Sequence, residues 1–432
     1  MSLNSEIADI DLLSMEFWAR PEKERLAAFA RLREHGAPVF FPEPRIPFVR
    51  SGRGFYALVR HADVVAASRD ARTFSSEPAA TSPAPPSWLS ALLGTPMVNM
   101  DDPRHSRLRR IVSRAFTPKM LARLETDIQA TAARIVDDLI AEGPRDFVSQ
   151  VAARLPINVI CAMMGIPERL RPYVLRRIDV MTEYSGVRGA LTSPRALRLL
   201  GGNLKAIVDL HRLVARLGRA RRENPTDDLV SALVNAEVDE GGERLSLREL
   251  GSFFDLLLVA GNETTRNALS HGLRLFTEHP DQRDLLLEDF DGRIGGAIEE
   301  IVRYSSPIIQ FRRTVTRDHV LNGHPLKAGD TVVLFYPAAN RDPEAFPDPD
   351  VFDITRSPNP HVGFGGPGPH LCLGANLARM ELRIMFRELF DRLPDLRTTG
   401  EPVPLLSSFD NGVKSQPFTF SRPARSRVEV RP

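Results

Sequence analysis

From Ser246 to Pro280 the chain runs without an intervening proline, and it opens Ser246-Leu-Arg-Glu249. In that pattern the serine oxygen and the glutamate carboxylate each satisfy an N–H group left over at a helix start. The spacing predicts a helix over 246–278, a rod of roughly 45 Å at about 1.5 Å per residue, long enough to cross a whole domain. Its middle (Phe253, Phe254, Leu256, Leu257, Leu258, Val259) is apolar nearly all round, which predicts burial. Whatever the fold is, it is built around this helix. Yet the same helix carries Ala260-Gly261-Asn262-Glu263-Thr264-Thr265 at its centre. A carboxylate and two hydroxyls are costly there unless they are hydrogen-bonded or used. One reading is a satisfied polar bend, with a threonine hydroxyl returned to the carbonyl four residues back. The other is a proton-handling pair that faces a cofactor.

Periodicity predicts further helices over 119–142, 150–165, 196–222 and 374–393. Strand signals are few: Phe55 to Val59 and Thr331 to Phe335, with Asn322-Gly323 as a tight hairpin turn, since both positions tolerate positive φ. The chain therefore reads as mainly α with a minor β portion. Residues 76–100 and 340–371 are irregular, and long irregular stretches inside a compact domain are usually functional. No repeat or linker divides the chain, so residues 1–432 are expected to form a single domain, with 1–20 and 421–432 peripheral or frayed.

Charge excludes some functions. The 57 cationic side chains nearly balance 55 carboxylates, which argues against a nucleic-acid partner. Two cysteines, Cys161 and Cys372, cannot build a disulfide scaffold or a four-thiolate metal site, and so few fit a reducing cytoplasm. No apolar stretch approaches the roughly 20 residues of a membrane span, and the acidic start MSLNSEIADIDLL lacks the basic-then-apolar order of a signal peptide.

Cys372 lies in Phe364-Gly-Gly-Pro-Gly-Pro-His-Leu-Cys372-Leu-Gly374, at the start of a helix with an apolar stripe of Leu382, Met385, Phe386, Leu389 and Leu393. A thiol at a helix N-terminus meets the positive end of the dipole, which favours thiolate. Gly366 and Gly368 let the backbone approach something flat. The plain alternative is a buried free cysteine. Gly363, Gly365 and Gly368 also fit a G-x-G-x-x-G pattern, but the preceding residues are proline-rich and Pro367 and Pro369 remove donors, so a dinucleotide site is not expected. Glu300 and Arg303 share one helical face at i,i+3.

Taken together, these motifs resemble the soluble bacterial cytochromes P450, haem-thiolate monooxygenases. The resemblance covers nearly the whole chain. It rests on Ala260, Gly261, Glu263 and Thr264; on Glu300 and Arg303; on Ala339-Asn-Arg-Asp342 with Phe346, Pro349, Phe352 and Asp353; and on Gly366, Gly368, His370, Cys372 and Gly374. One departure stands out: Gly365 occupies the place, seven before the cysteine, where the family usually has an aromatic residue, and Phe364 lies one earlier. The shifted pattern is similar to an actinobacterial subgroup that oxidises methyl-branched lipids and sterol side chains.

The resemblance implies a single P450 fold with haem b between the long central helix and the cysteine-loop helix. It makes Cys372 the iron ligand, with Phe364, Gly366 and Gly374 beside it, and His105, Arg109, Arg313 and His370 the propionate contacts. Thr264 and Glu263 would handle protons. Leu92, Leu93, Met97, Val98, Leu256, Ala260, Ile308, Ile309, Phe409 and Val413 would line an apolar pocket. The implied reaction is insertion of one oxygen atom of O2 into a C–H bond, at the terminal carbon of a methyl-branched lipid, isoprenoid or sterol side chain. A separate ferredoxin and ferredoxin reductase would supply electrons, with Arg104, Arg107, Arg110 and Arg114 attracting the acidic ferredoxin. A peroxygenase, an isomerase and a non-catalytic haem sensor remain as alternatives.

Overall fold

The capping box is formed as the sequence requires: Ser246 Oγ accepts from the Glu249 N–H, and the Glu249 carboxylate accepts from the Ser246 N–H at 3.0 Å. It starts a helix over Leu247–Glu278, the central helix, around which the computed structural model is organised. The described residues are 7–43, 54–81, 94–115, 118–185, 194–236 and 244–421. Glycines set how closely other helices approach the central one. A Cβ on Gly261 would sit 2.9 Å from Ile160 of the Arg154–Met163 helix, and one on Gly272 would sit 2.5 Å from Phe386 of the Ala375–Arg392 helix. Against these faces packs the largest core cluster, including Phe254, Leu258, Leu269, Leu273, Phe276, Leu382, Met385 and Phe386. Burial of this stripe, at about 25 cal/mol per Å2 of apolar surface, is the main force holding the helical layer together.

The β portion is a five-stranded sheet ordered β1-β2-β7-β4-β3, where β1 is Val39–Phe41, β2 Phe55–Leu58, β3 Phe74–Ser75, β4 Gln310–Val315 and β7 Thr331–Phe335. The β2–β7 pair is parallel (Leu58 opposite Leu334) and the others are antiparallel, with Gln310 opposite Phe335 across β4–β7. Strand β7 is central and buried at every residue, which explains its unbroken apolar run. Strands β5 (His319–Leu321) and β6 (His324–Leu326) form the expected hairpin, and Asn322 and Gly323 both take positive φ, 49° and 72°.

The other helices lie close to their expected spans: Pro118–Glu142, Pro194–Glu223 and Ala375–Arg392. The stretch 150–165 is interrupted, with a π turn over Val148–Ala152 before the helix at Arg154–Met163. One expectation about the central helix needs correcting. Its middle is not buried all round: Val259 is 38% exposed and Ala260 is exposed as well. Periodicity shows which residues are apolar and not what covers them, and here the side of the helix at Val259 and Ala260 is left uncovered. No helix among the described residues is long and apolar enough to cross a membrane.

The loop of residues 340–371 is held by a fully buried ion pair. Glu300 and Arg303 are 0% exposed, and Arg303 Nη2 is 2.7 Å from Glu300 Oε1. Arg303 also donates to the carbonyls of Asn340, Pro349 and Val351 at 2.7–3.0 Å. Glu300 accepts from the Asp353 N–H, Arg356 and Asn359. Arg341 stacks 3.6 Å from the Tyr304 ring centroid and donates to the Tyr304 carbonyl. A long loop without regular structure stays ordered because these side chains take the place of a hydrogen-bond ladder.

Candidate active site

Cys372 comes just before the Ala375–Arg392 helix, whose N-cap is Gly374 and whose first turn carries no side-chain cap. The Cys372 N–H donates to the Phe364 carbonyl at 2.9 Å, which folds the loop back on itself. Close packing leaves no room for side chains beneath it: a Cβ on Gly366 would lie 2.4 Å from Ser68 Oγ, and one on Gly368 would lie 2.1 Å from the Ser68 carbonyl oxygen. The thiol is accessible although protein surrounds it on most sides. Here the expectation of a ready thiolate is corrected. Burial pushes the Cys372 pKa up, against the Gly374 N–H, Arg109 and Arg379, which pull it down. The charge of a bound metal ion is what deprotonates a thiol in such a place.

Behind the loop, Arg379 lies 4.5 Å over the Phe364 ring and pairs with Glu299 at 2.6 Å, while His361 contacts Glu299 at 2.9 Å. Burial raises the Glu299 pKa, but the hydrogen bonds from His361 and Arg379 outweigh it and bring the carboxyl down to about 2. A carboxylate depressed this way stabilises the fold above its ordinary pKa and loses that contribution as pH falls toward the folded value. Glu299→Gln is therefore expected to remove on the order of 2 kcal/mol at neutral pH, discounted for partial exposure. It should also flatten the loss of stability between about pH 4.5 and 2. Acid denaturation curves of the two proteins check this, and parallel curves would contradict it.

On the other side of the loop the expected propionate contacts come together. The rings of His105 and His370 lie 4.1 Å apart, and Arg109, one turn after His105, donates to the Leu371 carbonyl at 2.7 Å. Arg313, on β4, is 4% exposed and donates to its neighbouring carbonyl, that of Arg312. Burial pulls the pKa of His105 and Arg313 down, and it brings His370 to about 3, with Arg313, His105 and Arg109 adding to the effect. Among the described residues neither Arg109 nor Arg313 has a carboxylate within ion-pair distance, and the nearby Asp101 is taken up by Ser75 and by the Ser76 N–H. A buried guanidinium with no counter-charge of its own suits an anionic ligand. Two arginines and two histidines beside an accessible thiol fit a flat, dianionic metal macrocycle.

The acid–alcohol pair lies on the central helix. The Thr264 hydroxyl donates to the Ala260 carbonyl at 2.6 Å, so its oxygen remains free to accept. Glu263 is 4% exposed, accepts from Asn262 at 3.2 Å and is ion-paired with Arg266 one turn on. The neighbouring Thr265 is buried and donates to Glu381, whose complete burial raises its carboxyl to about 8. Sequence reasoning missed Glu381. The available signal was an ionisable residue directly beside the apolar stripe of the cysteine helix.

The apolar pocket residues divide into groups. Ala260 is exposed, and Val98, Leu256, Ile308 and Phe409 are half-buried. Met97 is buried against Met100, Leu108, Val112 and Phe253 in a small core cavity. Ile309, 1% exposed, belongs to the cluster with Phe17, Phe29 and Phe335, away from Ile308, because successive residues of an extended chain point to opposite sides. Val413 is buried, its N–H donating to Asn267. Leu92 and Leu93 lie outside the described residues. Of the expected docking cations, Arg107 and Arg110 are exposed, whereas Arg104 is held by Glu249 at the start of the central helix.

Comparison with known proteins gives the family. The family model for cytochrome P450 matches residues 71–394. A methyl-branched lipid omega-hydroxylase of Mycobacterium tuberculosis is 46% identical over 96% of this chain and 95% of its own length. A steroid C26-monooxygenase of Mycolicibacterium smegmatis is 38% identical over 88% of this chain and 87% of its own. A Mycobacterium marinum cytochrome P450 solved in complex with pseudoionone superposes with a TM-score of 0.87 at 42% identity, covering 95% of this chain and 98% of that one. The chain belongs to the cytochrome P450 family. It is a haem monooxygenase, an oxidoreductase that uses O2 and redox partners.

Proposed function

We propose that this P450 hydroxylates the terminal carbon of a methyl-branched lipid, isoprenoid or sterol side chain. The observation that carries the reading is the accessible apolar pair Val259 and Ala260, just ahead of the half-buried Thr264, in the middle of a helix most of whose apolar residues are buried. An apolar wall that ends in a proton-handling group suits a greasy substrate brought end-on to the site of chemistry. The names of the relatives at 46% and 38% identity support the same substrate class.

Cys372 would hold the iron of haem b, and Arg109, Arg313, His105 and His370 its two carboxylates. When bound, the haem supplies the oxygen activation by which a C–H bond, O2, two electrons and two protons yield an alcohol and water. The protein's own contribution is to exclude water with the apolar wall and to move protons. Thr264 accepts and donates through Oγ1, and Glu263, held by Asn262 and Arg266, replenishes it. Electrons would come from a ferredoxin, in the cytoplasm. Arg107 and Arg110 are exposed on the same helix as Arg109, which reaches the Leu371 carbonyl beside the cysteine, and they supply the cationic charge for an acidic partner.

The test is turnover with labelled dioxygen on branched-chain fatty acids, isoprenoid alcohols and sterols. The expected product carries one labelled oxygen at the chain terminus. Thr264→Ala should bind the same substrates while diverting most electrons away from product. Mid-chain oxidation, or no response to any of these lipids, would sink the substrate assignment.

A further inference from the structure

The outer face of the Pro194–Glu223 helix carries a row of single-sign charge. Arg198, Lys205, Arg212, Arg216 and Arg219 are all exposed. At about 100° per residue they fall within an arc of roughly 60°, and at about 1.5 Å per residue they extend for about 30 Å. Among the described residues, the carboxylate inside this row is Asp209, 11% exposed. It is shared by Arg177 of the Arg171–Ser185 helix at 2.9 Å, Lys205 at 2.7 Å and Arg212 at 3.9 Å. Asp209 therefore ties a sixth cation to the ridge without neutralising it. Arg198, Arg216 and Arg219 have no carboxylate within ion-pair distance among the described residues. Glu223 closes the ridge at its end.

Helix stability does not explain this row. Exposed helix faces gain from cations alternating with acids one turn apart, whereas like charges at such spacings, as at Arg212 and Arg216, repel. Only cations in a last turn gain from the dipole, and Arg198 through Arg216 lie before it. The inner face explains the helix itself: Ala206, Leu210 and Val214 are buried, and His211 Nε2 bonds Asp255 of the central helix at 2.6 Å. The outer row is thus surplus to folding. It also lacks what a protein partner would seize. Interface cores are organised around buried aromatic or large apolar anchors, and among the residues of this helix whose side chains are described, Arg198 and 201–223, no large apolar one is exposed. A plane of lipid headgroups asks only for charge, at about fivefold in affinity per Lys or Arg near the surface.

We propose that this ridge seats the enzyme on an anionic lipid surface, with the Pro194–Glu223 helix lying along it. Arg198, Lys205, Arg212, Arg216 and Arg219 provide the contact, and Arg177 adds to it.

The haem-loaded enzyme is sedimented with vesicles of phosphatidylcholine, or of phosphatidylcholine mixed with phosphatidylglycerol, in the absence of substrate. Binding to the mixed vesicles only, weakening as salt rises, is expected. The fourfold variant Arg198→Gln, Arg212→Gln, Arg216→Gln and Arg219→Gln should bind several-hundred-fold more weakly, from about fivefold for each cation removed. The corresponding Lys variant should bind as the parent does. All four positions are exposed, so these variants fold, and thermal melts check that they do. Equal binding to uncharged vesicles, undiminished binding by the Gln variant or loss in the Lys variant would each overturn the proposal. So would binding that follows Arg107→Gln and Arg110→Gln instead, or binding to an acidic carrier protein with none to vesicles. No turnover is read, so failure here leaves the substrate assignment standing.

Discussion

Arg303→Ala is expected to cost this protein 3–5 kcal/mol of stability, about what removing one partner of a buried ion pair costs. Both partners are 0% exposed. Without the guanidinium, the Glu300 carboxylate loses its closest cation, the buried Asn340 carbonyl and the Pro349 carbonyl lose a donor, and Val351 is left with Arg356 alone. Arg356 and Asn359 keep part of the field around Glu300, so the site is weakened and not erased. Domains commonly have about 5–15 kcal/mol in total, so the variant should fold poorly and lose haem on mild heating. Arg303→Lys retains the charge but not the fork that reaches several acceptors, and should fall between. Denaturant melts of the three proteins decide it. An Arg303→Ala variant as stable as the parent would show that the ion pair does not hold the 340–371 loop.

Arg313→Ala is expected to weaken haem retention by a factor on the order of a hundred or more, from about 3–5 kcal/mol for a buried carboxylate left without its cation. Arg313 is buried on a strand, donates to one backbone carbonyl and is flanked by His370 and His105, which burial keeps neutral. Its replacement leaves the sheet register intact, because β4 and β7 pair through backbone groups. The loss should therefore appear in haem transfer to a competing apoprotein, with little change in the unfolding of the apo-form. Unchanged transfer kinetics would remove Arg313 from the haem contacts. A large drop in apo-form stability would reassign it to the fold.

Most of the architecture was legible because local chemistry states it directly. Ser246 and Glu249 announce the central helix, Asn322-Gly323 announces its hairpin, and the Cys372 loop carries residues whose types leave few other uses. Less legible was anything set by contacts between segments far apart in the chain. The apolar run through Val259 reads as core because an apolar residue looks the same in sequence whether or not another segment covers it. Ile308 and Ile309 look equivalent until the backbone direction splits them between two clusters. Arg104 looks like a free surface cation, but Glu249, 145 residues away in the chain, captures it. The Cys372 thiol sits at a helix start as expected, yet burial works against the dipole, and no sequence pattern measures burial.

The central claim is that Cys372 sulfur binds the haem iron, and one optical measurement addresses it directly. The purified haem-loaded protein is reduced and exposed to carbon monoxide, beside a Cys372→Ser variant prepared the same way. The parent should show the strongly red-shifted Soret band of thiolate ligation, and the serine variant should lack it while keeping the parent's helical content. A parent without that band, or a serine variant that retains it, would contradict the assignment.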